Sequence, residues 1–87
     1  MEVKLNKAQK EFLIEEVLES HSSLKGIIEH ATQHFEKYLI EIQPDMAEQI
    51  RDLCVDRLMI IGFDEEYQPT KEGRMLERLI DLFFSES

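Results

Sequence analysis

His30 and His34 stand four residues apart, a spacing that on a helix can turn two imidazoles toward one metal ion. Glu41 falls on the same strip two turns later. The rest of a metal centre is missing from the pattern. There is no HExxH pair and only one cysteine, and at 100° per residue His34 sits at the rim of an apolar stripe with His30 outside it. Ordinary boundary histidines are therefore expected. Cys54 falls on the apolar face of its helix, where a thiol behaves as a small hydrophobe, and no base is patterned beside it to make a nucleophile. From Asp64 the chain reads DEEYQPTKEGRM, which resembles a calcium loop in acidity alone. Pro69 occupies the place that needs glycine, and Met75 the place that needs a bidentate glutamate. No glycine loop of the phosphate-binding kind occurs. The expectation is a protein that is not an enzyme, with no catalytic residue, no cofactor and no bound metal.

What remains is recognition. Asp45, Glu48, Asp52 and Asp56 recur at steps of three and four, which on a helix makes an acidic ridge, and Val55 and Met59 project from the same side. Carboxylates interleaved with apolar side chains make contact anchors with a charged rim. The stretch GFDEEYQPTKEG, Gly62 to Gly73, adds Asp64, Glu65, Glu66 and Tyr67 between two apolar runs. Asp52, Asp56, Met59, Asp64, Glu65, Glu66 and Tyr67 are thus the candidate partner-binding residues. Solvated charge between packed helices is the competing reading. Arg57 points into the apolar sector, where pairing with a carboxylate from another helix is the default.

These residues need elements to hold them. Asn6 and Gln9 form a capping-box pattern ahead of Phe12, Leu13, Val17 and Leu18, which predicts a helix over 7–20. Leu24, Ile27, Ile28, Ala31, Phe35, Tyr38, Leu39 and Ile42 follow helical spacing and predict a second helix over 23–42, stopped by Pro44. Asp45 is then the expected N-cap of a third helix over 45–61. That helix is expected to bury Ile50, Cys54 and Leu58 and to end at Gly62 in the left-handed conformation. Pro69 and the cap Thr70 introduce a fourth helix over 70–84. The expected fold is all-α, a compact bundle of about four short antiparallel helices in a single domain over 1–87.

Composition agrees with an ordered domain: 43% of residues are hydrophobic and 33% charged, with three glycines and two prolines in 87 positions. The lone cysteine and the lack of a charged segment followed by an apolar run at the N-terminus lead us to expect a cytoplasmic protein without a secretory signal. No apolar run approaches the length that spans a bilayer, so no membrane role is expected. The net charge of −9 argues against direct contact with nucleic acid and suits a basic protein partner, including one whose groove is built for nucleic acid.

The segment GFDEEYQPTKEGRMLERLIDLF, Gly62 to Phe83, resembles the tails of small acidic immunity proteins that accompany bacterial contact-dependent growth inhibition and other polymorphic toxins. The likeness rests on Gly-Phe-Asp, an aromatic, Pro-Thr, Glu-Gly and Leu-Glu-x-Leu-Ile-Asp, about a quarter of the chain. It implies a protein that binds and neutralises a cognate toxin, often a nuclease, and carries over no catalytic residue. The alternative from the residues alone is a helical regulatory or adaptor domain that forms a homodimer through Val55, Met59 or Phe84. A metal-dependent enzyme built on His30 and His34 is the third reading.

Overall fold

The computed structural model describes residues 1–84. The last three positions of the expected domain, 85–87, lie outside the described residues. In chain order the elements are strand β1 (Glu2–Asn6), helix α1 (Lys7–Phe12) continuing into a π turn (Leu13–Val17), helix α2 (Ser22–Glu29), strands β2 (Thr32–His34) and β3 (Lys37–Glu41), and helices α3 (Pro44–Ile61) and α4 (Lys71–Leu82). The fold is mixed α/β, which corrects the all-α expectation.

The correction lies in two places. Residues 1–6 form β1, in which Val3 and Leu5 are buried while Glu2 and Lys4 face out, the alternation of a half-buried strand. The expected second helix, 23–42, breaks at His30. Its first half is α2; its second half is the β2–β3 hairpin, and the three strands pair antiparallel in the order β1-β3-β2. Val3 lies opposite Ile40 and Leu5 opposite Tyr38, so one face of the sheet closes on the core. The break is visible in the hydrogen bonds. The Ala31 amide turns back to the Ile28 carbonyl, and His30 Nδ1 donates to the Gly26 carbonyl at 2.6 Å, capping the end of α2.

β2 pairs His34 with Lys37, leaving Phe35 and Glu36 as a two-residue turn. Phe35 takes φ 58° and is 86% exposed. A side chain in that region strains the backbone, and glycine is the residue such hairpin turns favour. Phe35→Gly is therefore expected to raise stability by about 0.5–1 kcal/mol in thermal denaturation, because relief of strain outweighs the extra freedom of the unfolded chain. A clear loss would mean that the ring packs on its neighbours.

The other local expectations fare better. The Asn6 side chain accepts from the Gln9 amide at 2.7 Å while Gln9 Oε1 accepts from the Asn6 amide at 2.8 Å, a complete capping box. The first helical stretch ends at Val17 rather than Ser20, and its last part is a π turn that buries Leu13 and Val17. α3 starts one residue early, with Gln43 as N-cap and Pro44 in the first turn, so Asp45 is not the cap. Its carboxylate accepts from the Met46 amide instead, at 3.0 Å. Ala47, Ile50 and Cys54 of α3, Leu76 and Leu79 of α4, and Phe83 join Leu24, Ile28, Leu13 and the inner face of the sheet in one core.

Candidate protein-binding surface

The segment Gly62–Thr70 links α3 to α4, and its closure begins with backbone. The Thr70 amide donates to the Gly62 carbonyl at 2.8 Å, Thr70 Oγ1 donates to the Ile61 carbonyl at 2.9 Å, and the same oxygen accepts from the Gly73 amide at 3.0 Å. One threonine thus caps α4 and ties it to the end of α3. Gly62 sits at φ −75°, ψ −15°, so the expected left-handed terminus does not form. Glycine is needed there and at Gly73 for closeness: a Cβ on Gly73 would collide with the Gly62 carbonyl.

Within the link, Phe63 and Pro69 form an isolated bridge, and Asp64 organises the tip. Its carboxylate accepts from the amides of Glu66 and Gln68 at 2.9 and 3.0 Å, and its amide donates to the Gln68 carbonyl at 3.0 Å. Asp64 is therefore part of the loop's frame as well as its charge. Tyr67, whose amide donates to the Asp64 carbonyl, takes φ 62° and is 86% exposed. Glu65 and Glu66 project into solvent from this fixed backbone.

The last turns of α3 lead into the loop. Asp52 and Asp56 are exposed, and Met59 is 79% exposed. Ile60, 71% exposed, and Phe63 extend the apolar surface and were not anticipated. Their trace in the sequence is spacing: Ile60 lies four residues after Asp56, and Phe63 four after Met59, on the strip already carrying the acidic ridge. Among the described residues, ion pairs join Lys7 to Glu11, Arg51 to Glu48 and Arg57 to Glu16; none involves Asp52, Asp56, Asp64, Glu65 or Glu66. The charge of this region is thus available to a partner. Arg57 behaves as its position implied, meeting Glu16 of the π turn at 3.7 Å.

The second feature is a cleft of about 640 Å³ between α1 with its π turn and the facing ends of α3 and α4. Half-buried Phe12, Ile61 and Met75 line it, with exposed glutamates around them. Sequence reasoning missed it because its walls come from three separate segments. The proposed metal strip is undone by the fold: His30 ends α2, His34 and Glu41 lie on different strands, and the Nδ1 proton of His30 is committed to Gly26.

Cys54 is fully buried, and desolvation pushes its thiol from 9.0 up to about 12. It is expected to resist iodoacetamide at pH 8 in the native protein and to react in urea, followed by mass spectrometry. The unfolded thiol ionises first as pH rises. Its contribution to stability is therefore whole below pH 9 and is lost between pH 9 and about 12.

No protein-family model, curated protein or solved structure matches the chain. No helix among the described residues is long and apolar enough to cross a membrane.

Proposed function

We propose that this protein is an immunity-type inhibitor that binds and neutralises a cognate bacterial toxin, a nuclease with a basic substrate groove, through the acidic surface formed by the end of α3 and the following loop. The observation that carries the reading is the combination at Met59, Ile60 and Tyr67: exposed apolar side chains among carboxylates that are not engaged in ion pairs, on a backbone fixed by Asp64 and Thr70. A rigid loop lowers the entropy lost on binding, and apolar anchors supply contact area. The carboxylates steer association with a basic groove. In this reading the protein acts in the cytoplasm, where a nuclease meets nucleic acid. It needs no cofactor, and it touches neither nucleic acid nor membrane directly.

The test begins with the genes adjacent to this one: the reading expects a toxin domain among them, which is co-expressed and purified with the full chain, and an unrelated neighbourhood would favour the adaptor reading. Asp56→Asn, Glu65→Gln and Glu66→Gln are combined while Asp64 is kept, since removing its carboxylate would loosen the loop itself. At low ionic strength the variant is expected to associate about tenfold more slowly and to lose most of the salt dependence, with an unchanged melting temperature. Unaltered kinetics would move the interface elsewhere. A chain that instead elutes as a concentration-dependent dimer, made monomeric by Met59→Asp, would favour the self-associating adaptor.

A further inference from the structure

We propose that the cleft between α1, its π turn and the α3–α4 pair receives a basic segment of the protein partner. One apolar side chain of that segment seats on Phe12, Ile61 and Met75, and a neighbouring lysine or arginine meets Glu15 and Glu72.

Three observations meet here. The half-buried lining is Phe12, Ile61 and Met75 with Arg57, and four of the six exposed lining residues are glutamates. Among the lining charges Glu11 is paired with Lys7 and Glu16 with Arg57, at 4.0 and 3.7 Å, which leaves Glu15 and Glu72 against Lys71, so the potential left over is negative. The wall that carries Glu15 and Glu16 is the π turn. Its extra residue lets Leu13, Val17 and Leu18 all enter the core while two successive glutamates stay outside. Single π turns inside helices are rare, and they recur at functional sites. An acidic or purely apolar occupant would leave Glu15 and Glu72 desolvated and unmatched, whereas a cationic side chain with an apolar neighbour satisfies both parts.

The position fits the surface described above. Ile61 and Lys71 lie at the two ends of the loop that carries Glu65, Glu66 and Tyr67, so the cleft opens at the base of that loop. A partner resting on the loop's carboxylates can extend a segment into the cleft. The inference rests on the preceding reading only in taking the occupant to be a protein.

The full chain, labelled at methyl groups and backbone amides, is titrated by nuclear magnetic resonance with acetyl-Leu-Lys-Lys-Leu-amide and with the matched acetyl-Leu-Glu-Glu-Leu-amide. The lysine peptide is expected to bind with a Kd of about 1 mM and to shift the Ile61 and Met75 methyls most. The glutamate peptide is expected to shift neither. Glu15→Gln combined with Glu72→Gln, both at exposed positions, is expected to weaken the lysine peptide roughly threefold or more while leaving the spectrum of the fold intact. The loop variant Glu65→Gln with Glu66→Gln is expected to bind it as the parent does. Equal response to both peptides, shifts centred on Met59 and the loop, or no shift at ~10 mM would overturn the assignment. Because the titration involves no toxin, a failed toxin interaction leaves its outcome standing.

Discussion

Leu5→Ala is expected to cost about 2–5 kcal/mol, while Lys4→Ala, one residue earlier, is expected to cost less than about 0.5 kcal/mol. Leu5 is completely buried opposite Tyr38, on the face of the sheet that closes the core; Lys4 points from the other face. Truncation at Leu5 removes transfer free energy and leaves a cavity that a sheet packed on helices fills poorly. A domain of this size has a total stability of roughly 4–13 kcal/mol, so the melting temperature should fall by at least ~8 °C, and the variant could be largely unfolded at 37 °C. Thermal and urea denaturation followed by circular dichroism would measure both variants. Equal, negligible effects would mean that residues 2–6 do not insert as a strand, and the helical bundle would return.

The second large effect is a reversal of sign between two glycines. Gly26→Ala is expected to stabilise the protein by about 0.5–1 kcal/mol, because alanine is the better helix former and a Cβ there meets nothing within 4 Å. Gly73→Ala makes the same exchange in α4 and is expected to destabilise by about 1–3 kcal/mol. Its Cβ would lie 2.9 Å from the Gly62 Cα and still nearer the Gly62 carbonyl, which is backbone and cannot swing aside. The helices would have to part, straining the Thr70 bonds that tie Gly62 and Ile61 to the start of α4. Denaturation midpoints of the two variants decide the matter. Stabilisation at both positions would show that α3 and α4 do not approach so closely.

What could be read from the sequence was local. Asn6 with Gln9, Thr70 with Gly73, and Pro44 each act within four residues, and each marks a boundary to within a residue or two. The stretch from Thr32 to Ile42 failed for the opposite reason. Phe35, Tyr38, Leu39 and Ile42 satisfy a helical period, yet Tyr38, Ile40 and Ile42 also alternate, and only the presence of β1 decides between the two. Val3 and Leu5, alternating with Glu2 and Lys4, were the missing trace of that partner. The acidic ridge and loop were legible because exposed charge on one helix and its following turn is a contiguous pattern. The role of Asp64 as a clasp was not, since Asp at a turn reads alike whether it frames a loop or meets a partner. The cleft was invisible because Phe12, Ile61 and Met75 are ordinary members of three apolar stripes.

The order of strands also dictates a sequence of events as the chain folds. β2 and β3 are joined by two residues, and α3 and α4 by one short link, so each pair can form on its own at small entropic cost. β1 cannot. It occupies an outer place in the sheet, yet among the described residues its only strand partner is β3, which lies beyond α1, the π turn and α2. The first strand made is therefore expected to find its place only after the hairpin exists, closing a loop that runs through α1, the π turn and α2. Until then Ile40 and the core beneath it lack a cover. Native-state hydrogen exchange should show that debt: the amides pairing β1 with β3 opening together at lower free energy than those of α3, although Val3 and Leu5 are both buried in the core.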